Sequence, residues 1–113
     1  MPEITPEHVL KVLSRHIGRT QGLHVGELVF ELTYTASNAA LERQVREAVT
    51  ALRIQGHHVC GHPATGYFIA AMPEDLDATC EFLYDRAMTS LKQVAAMKRV
   101  SLPDLRGQLR LPT

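Results

Sequence analysis

The chain has 113 residues, the usual size of a single domain. Its hydrophobic fraction of 45% and charged fraction of 21% are typical of a globular chain and exclude a disordered or collagen-like protein. Twelve basic and twelve acidic residues cancel, which argues against a uniformly basic nucleic-acid binder. Any nucleic-acid surface is therefore expected to be local.

The same composition argues against membrane insertion and export. The longest unbroken apolar run, Tyr67 to Met72, has six residues, whereas a membrane span needs about 20. The first residues lack the basic and apolar regions of a signal peptide. We therefore expect a cytoplasmic protein with no membrane partner, in which Cys60 and Cys80 are reduced thiols.

Two amphipathic helices are predicted at the start of the chain. Thr5 is placed to cap the first, which the apolar spacing extends over residues 6–17 until Gly18. The second is short and covers residues 25–32. Residues 33–38 carry hydroxyl, small and turn-forming side chains, so the second helix is expected to break there.

A third helix is predicted from a cap at Ser37 or Asn38 to about Gln55, with Gly56 as its stop. On a helical wheel it has one apolar face and one outward face that carries arginines. The apolar face consists of Leu41, Val45, Ala48, Val49 and Leu52, and the outward face includes Ala39, Arg43, Arg46 and Thr50.

The second half of the chain predicts a hairpin and a long helix. Two β-prone runs, residues 57–60 and 67–70, flank a six-residue tip at residues 61–66. Pro73 and the acids after it begin a helix that nothing interrupts until about Arg99. The domain organisation expected is 1–72 as the first domain, 73–100 as a long helix and 101–113 as an irregular tail.

This order of elements resembles the winged helix-turn-helix domain. The resemblance is carried by RQVREAVTALRIQGHHV followed by GYFIA, which is similar to the recognition helix and wing of small bacterial and phage regulators of the biotin-operon-repressor type. The family implies a three-helix core, a third helix in the DNA major groove and a hairpin on the DNA backbone or minor groove. The expected fold class is therefore mainly α with a small β-hairpin: a winged helix-turn-helix core plus a long C-terminal helix.

The resemblance places the recognition helix at residues 38–55 and the wing at residues 58–70. Arg43 and Arg46 lie three positions apart, so their guanidinium groups can reach guanine edges or phosphates. The alternative is that both are solvated and paired with Glu47 and Glu42 within the helix. The predicted DNA-contacting residues are Asn38, Ala39, Arg43, Arg46, Glu47, Thr50, His62 and Thr65.

The wing also contains the densest group of potential metal ligands. In an extended strand His58, Cys60 and His62 share one face. A spacing of two is unlike the usual structural zinc loops, so the preferred interpretation has no metal and lets the histidines approach phosphate. Because histidine gains charge below about pH 6.5, such a wing would bind DNA more tightly as the pH falls. Residues 67–69 could stack on single-stranded nucleic acid, but core packing is the preferred interpretation.

The last predicted helix carries an apolar stripe with near-heptad spacing. This stripe can pair with a second copy of the chain or pack on its own domain, and different parts of the helix can do each. The stripe, predicted to support a homodimer, consists of Leu76, Cys80, Leu83, Ala87, Leu91 and Val94.

Enzymatic function is not predicted. The sequence has no Gly-rich phosphate loop, no Cys-x-x-Cys, no His-Glu-x-x-His and no Gly-x-Ser-x-Gly. We therefore expect no cofactor and no small-molecule substrate. The predicted function is sequence-specific binding of double-stranded DNA by a transcription regulator of bacterial or phage origin. The alternative is a protein-interaction module that uses a winged-helix fold for assembly without binding DNA.

Overall fold

The computed structural model describes residues 4–99. This part of the chain is mainly helical with one small antiparallel hairpin, which confirms the predicted class of mainly α with a small β-hairpin. None of its helices is both long enough and apolar enough to cross a membrane. The predicted irregular tail, residues 101–113, lies outside the described residues. The elements are α1 (Pro6–Leu13), α2 (Val25–Thr33), α3 (Ala39–Ile54), β1 (Val59–His62), β2 (Gly66–Ile69) and α4 (Pro73–Lys98).

The chain divides into two compact units, Met1–Thr79 and Cys80–Thr113. The first unit therefore reaches beyond the predicted boundary at residue 72 and includes the first turns of α4. Two buried polar side chains explain this. Asp75 Oδ2 accepts a hydrogen bond from the Ala71 amide at 3.0 Å, and Thr79 Oγ1 accepts one from the Gly61 amide at 3.3 Å.

The core of the first unit lies between α1, α2 and α3. Each helix contributes its apolar face, as the sequence periodicity predicts, and β1 closes one end. Leu41, on the predicted apolar face of α3, is half-buried and packs against this core. The fully buried helix residues are Val9 and Leu13 on α1, Leu28 and Val29 on α2, and Val45, Val49 and Leu52 on α3.

The first helix is shorter than predicted. Thr5 Oγ1 accepts a hydrogen bond from the His8 amide at 3.2 Å, which confirms the predicted start. The helix ends at Leu13, so the predicted extension to Ile17 is wrong. Ile17 instead pairs with Ile69 of β2, since the Ile69 amide donates to the His16 carbonyl at 2.9 Å.

A second pairing ties the connection between α1 and α2 to the hairpin. Leu23 and Tyr67 exchange both backbone hydrogen bonds, at 2.9 and 2.7 Å. The two backbones approach so closely that only glycine fits on either side. A Cβ on Gly22 would overlap the Thr65 carbonyl oxygen, and one on Gly66, whose φ is 77°, would overlap the Leu23 backbone.

Each strand of the hairpin has four residues, as predicted, but β1 begins at Val59 instead of at residue 57, and the tip is tighter than predicted. Pairing runs from Val59 with Ile69 to His62 with Gly66, which leaves residues 63–65 as the tip. The predicted six-residue tip is wrong because Gly61 and His62 continue the ladder. Gly61 faces the Tyr67 ring, which leaves no room for a Cβ.

The long C-terminal helix is confirmed. α4 spans 26 residues, about 39 Å at the α-helical rise. Asp75 and Thr79, both in its first two turns, are its buried residues. The rest of the helix is half-buried or exposed over the residues that the structure describes.

Closing the hairpin onto the helices depends on Gly22. We expect Gly22→Ala to lower the free energy of unfolding by about 2 kcal/mol or more, because the new methyl group collides with backbone that cannot rotate away. The control is Gly26→Ala, where the methyl group meets Ser37 Cβ at 3.8 Å and should raise stability by about 0.5 kcal/mol. Urea denaturation measures both. Equal stability of the two variants would contradict the close backbone approach.

Candidate nucleic-acid interface

The outward face of α3 is exposed along its length. Ala39, Arg43, Arg46, Glu47 and Thr50 are all exposed, as the helical wheel predicts. The apolar side of the helix holds it in the core, so this face is fixed on a rigid element. A surface of this kind can meet a ligand without rearrangement of the backbone.

Only weak interactions restrain the two arginines. Arg46 Nη2 lies 3.5 Å from Glu42 Oε1, and the Arg46 side chain is 57% exposed. Glu42 is shared, because its Oε2 also accepts the Ser37 hydroxyl at 2.6 Å. Arg43 forms no ion pair with the described residues, so the Arg43–Glu47 pair of the alternative interpretation is not formed. Exposed pairs of this kind contribute about 1 kcal/mol at most, and a phosphate can displace them.

Two predicted contact residues each use a side-chain polar atom in a hydrogen bond within α3. Asn38 is the N-cap of α3, and its Oδ1 accepts the Leu41 amide at 2.9 Å. The Thr50 hydroxyl donates to the Arg46 carbonyl at 3.0 Å. Ala39 and Glu47 can offer only van der Waals contact and an acceptor, respectively. Arg43 and Arg46 are therefore the cationic groups on this face.

At the hairpin, the two predicted contact residues differ in accessibility. His62 is exposed at the end of β1, and its Nδ1 accepts the Ala64 amide at 3.0 Å. Thr65 is half-buried, and its hydroxyl donates to the Gly66 carbonyl at 3.0 Å. The ring of His62 is thus the more accessible of the two.

The hairpin is joined directly to the end of α3. Arg53 Nε donates to the Val59 carbonyl at 2.8 Å, and the His57 amide donates to the Leu52 carbonyl at 3.0 Å. Together with the pairing of Leu23 and Tyr67, these bonds fix β1 and β2 relative to the helix. The outward face of α3 and the hairpin tip thus belong to one rigid framework.

The metal-binding alternative finds no support in the described residues. Cys60 is fully buried, and its Sγ donates to the Asp75 carbonyl at 3.5 Å. His58 and His62 are exposed. Residues 4–99 contain no group of three His, Cys, Asp or Glu side chains placed to hold a metal ion.

The predicted dimer stripe on α4 is partly accessible. Cys80, Leu83 and Ala87 are exposed, whereas Leu76, Leu91 and Val94 are half-buried. Leu83 is 37% exposed, and two other apolar side chains of α4, Tyr84 and Met97, are more exposed still.

Sequence reasoning missed one exposed aromatic pair on α2. Phe30 and Tyr34 are 54% and 79% exposed, and their rings meet edge to face with centroids 6.2 Å apart. The signal was available, since Phe30 lies off the apolar stripe of its helix.

Comparisons with family models, with curated proteins and with solved structures found no match.

Two substitutions at Asn38 test its role as the N-cap of α3 independently of any contact with DNA. We expect Asn38→Ala to lower the free energy of unfolding by about 1 kcal/mol, because the Leu41 amide loses its acceptor. Asn38→Asp keeps an acceptor at the same place and should retain the parent stability. Thermal denaturation of both variants measures this. An alanine variant as stable as the parent would show that the cap does not stabilise α3.

Proposed function

We propose that the chain is a winged helix-turn-helix protein that binds double-stranded DNA in a sequence-specific manner. In this proposal it is a transcription regulator of bacterial or phage origin and acts in the cytoplasm. One observation carries the proposal: α3 is anchored in the core by one face and exposes Arg43 and Arg46 on the other. An exposed helix face with two guanidinium groups one turn apart suits the major groove, which admits a single α-helix.

The attachment of the hairpin supports the same function. A wing contributes to binding only if it is held at a fixed position beside the helix that enters the groove. Arg53 and the Leu23–Tyr67 pairing provide such a fixed position. His62 at the accessible end of β1 is then the residue suited to approach the DNA backbone.

The low overall charge sets a limit on the affinity of one copy. The net formal charge is zero, so phosphate neutralisation by a single outward face is modest. Two copies would add their contacts at a high effective concentration. We therefore propose a homodimer formed through the stripe on α4, with two α3 helices that read successive major grooves about 34 Å apart.

A protein-interaction module is the second candidate. It is favoured by the exposed apolar side chains of α4, Leu83, Tyr84 and Met97. In this case α4 would assemble with a partner and the outward face of α3 would remain solvated. Ionic strength separates the two functions, since DNA binding weakens steeply with salt whereas apolar assembly does not.

Removing the two outward arginines tests DNA binding. We expect each of Arg43→Ala and Arg46→Ala to cost about 1–3 kcal/mol of duplex affinity if the guanidinium contacts a base edge. The loss should be larger for the preferred sequence, found by selection from random duplexes, than for others. Fluorescence anisotropy at several salt concentrations measures the affinity and its salt dependence.

The matched control removes two positive charges elsewhere. Arg19→Ala with Lys92→Ala changes the net charge equally, and both residues are exposed but do not belong to α3. This variant should keep the sequence preference of the parent. A double variant at Arg43 and Arg46 that binds like the parent at low salt would refute the assignment of α3 as the recognition helix.

Two aspartates introduced into the apolar stripe of α4 test the proposed dimer. Leu83→Asp with Leu91→Asp should convert a dimer into a monomer, because an apolar seam cannot bury unpaired carboxylates. Thr89→Asp with Gln93→Asp adds the same charge at exposed positions outside the stripe and should leave the dimer intact. Light scattering measures the mass of each. A parent that is monomeric at tens of micromolar would contradict the dimer.

A further inference from the structure

The exposed aromatic pair of α2 is unusual in its backbone as well as in its exposure. Tyr34 is the C-cap of α2 and has a φ of 58°, in the left-handed region. Glycine is the usual residue there because a side chain costs free energy in this conformation. The chain nevertheless has a large aromatic ring at this position, 79% exposed to solvent.

Hydrogen bonds around Tyr34 maintain this conformation. The Tyr34 amide donates to the Phe30 carbonyl at 2.8 Å, which closes the helix. The buried Thr33 hydroxyl lies 2.7 Å from that of Thr35 and 2.9 Å from the Val29 carbonyl. The turn is thus fixed on both sides of the ring. A strained residue that the surroundings hold in place, with its side chain in solvent, is typical of a functional surface.

A cationic cleft adjoins the ring. Tyr34 lines a cleft of about 390 Å³ together with His8, Lys11 and Arg15. Glu31 is the one acidic side chain among the lining residues that the structure describes. Neither Lys11 nor Arg15 forms an ion pair with the described residues. Their charges are therefore available to an anionic ligand.

Exposed rings beside unpaired cations match the chemistry of single-stranded nucleic acid. Bases stack on aromatic side chains whatever their sequence, and a basic groove follows the phosphates. A duplex does not fit this chemistry because its bases are already stacked on one another. We propose that Phe30, Tyr34, Lys11 and Arg15 form a binding site for single-stranded DNA.

The lining of the cleft favours a nucleic acid over a protein partner. The buried core of a protein interface is depleted of Lys and Glu, whereas Lys11 and Glu31 line this cleft and Val12 is the one aliphatic residue among its described lining residues. The cleft is bounded by residues of α1, of α2 and of the segments that follow them, and no residue of α3 lines it. The site is therefore independent of the duplex-binding proposal.

The probe is a fluorescein-labelled oligothymidylate of about 12 nucleotides, titrated with the full chain at about 50 mM salt. We expect Phe30→Ala and Tyr34→Gly each to weaken binding about tenfold, as loss of one stacked base predicts. Lys11→Ala with Arg15→Ala should weaken binding and reduce its salt dependence. Tyr34→Gly relieves the left-handed strain, so it should melt at the same or a higher temperature than the parent. Loss of binding in that variant cannot then be attributed to unfolding.

Two controls make the assignment specific. Tyr84→Gly removes a tyrosine ring that is 65% exposed on α4 and should leave oligothymidylate affinity unchanged. Arg43→Ala with Arg46→Ala should also leave it unchanged, even if duplex binding is lost. These two variants keep failure of this site distinct from failure of the duplex-binding proposal.

Four results would overturn the inference. The first is no binding of the oligonucleotide at tens of micromolar chain. The second is unchanged affinity in Phe30→Ala and Tyr34→Gly. The third is loss of binding in the Arg43 and Arg46 double variant, which would show that the single strand binds to α3. The fourth is ring-dependent binding of an acidic peptide without binding of the oligonucleotide, which would make the cleft a protein interface.

Discussion

The reciprocal backbone hydrogen bonds between Leu23 and Tyr67 are the constraint on which the first unit depends. They join the connection between α1 and α2 to β2, and the pairing of Ile17 with Ile69 extends the contact along the strand. The approach is so close that Gly22 and Gly66 leave no space for a side chain. The attachment matters because a two-stranded ribbon without such support is marginal in water.

The rigid surface follows from that attachment. Arg53 connects the last turn of α3 to the start of β1 through the Val59 carbonyl, so the hairpin is held at both strands. The apolar face of α3 is then buried in the core and its outward face is left with Arg43 and Arg46. Preorganisation of this kind matters for a chain of zero net charge, because affinity must come from a few well-placed contacts.

Periodicity in the sequence predicted the helices because burial of one face is a local property of spacing. It separated the two faces of α3 correctly, and the cap at Asn38 and the start at Pro73 follow from equally local chemistry. The end of α1 and the strand character of Ile17 were not predictable in this way. Both depend on a partner strand more than forty residues away, and spacing carries no information about such pairing.

The same difference between local and long-range determinants applies to the candidate sites. The outward arginines of α3 could be predicted because exposure is the complement of a recognisable apolar face. The cleft beside Tyr34 could not, since it brings α1 and the end of α2 together and depends on a left-handed residue. For the same reason the predicted grouping of His58, Cys60 and His62 was misleading: alternation along a strand suggested one face, but Cys60 is buried and both histidines are exposed.

The measurement that tests the central claim most directly is a nuclear magnetic resonance titration of the isotope-labelled full chain with a short duplex obtained by binding-site selection. We predict amide shift changes at the outward positions of α3, centred on Arg43 and Arg46, and at His62, Ala64 and Thr65 of the hairpin, because these share one rigid framework. The buried positions of α3 should change little. Shift changes restricted to α4, or none on α3 at saturating duplex, would contradict the proposed DNA-binding face.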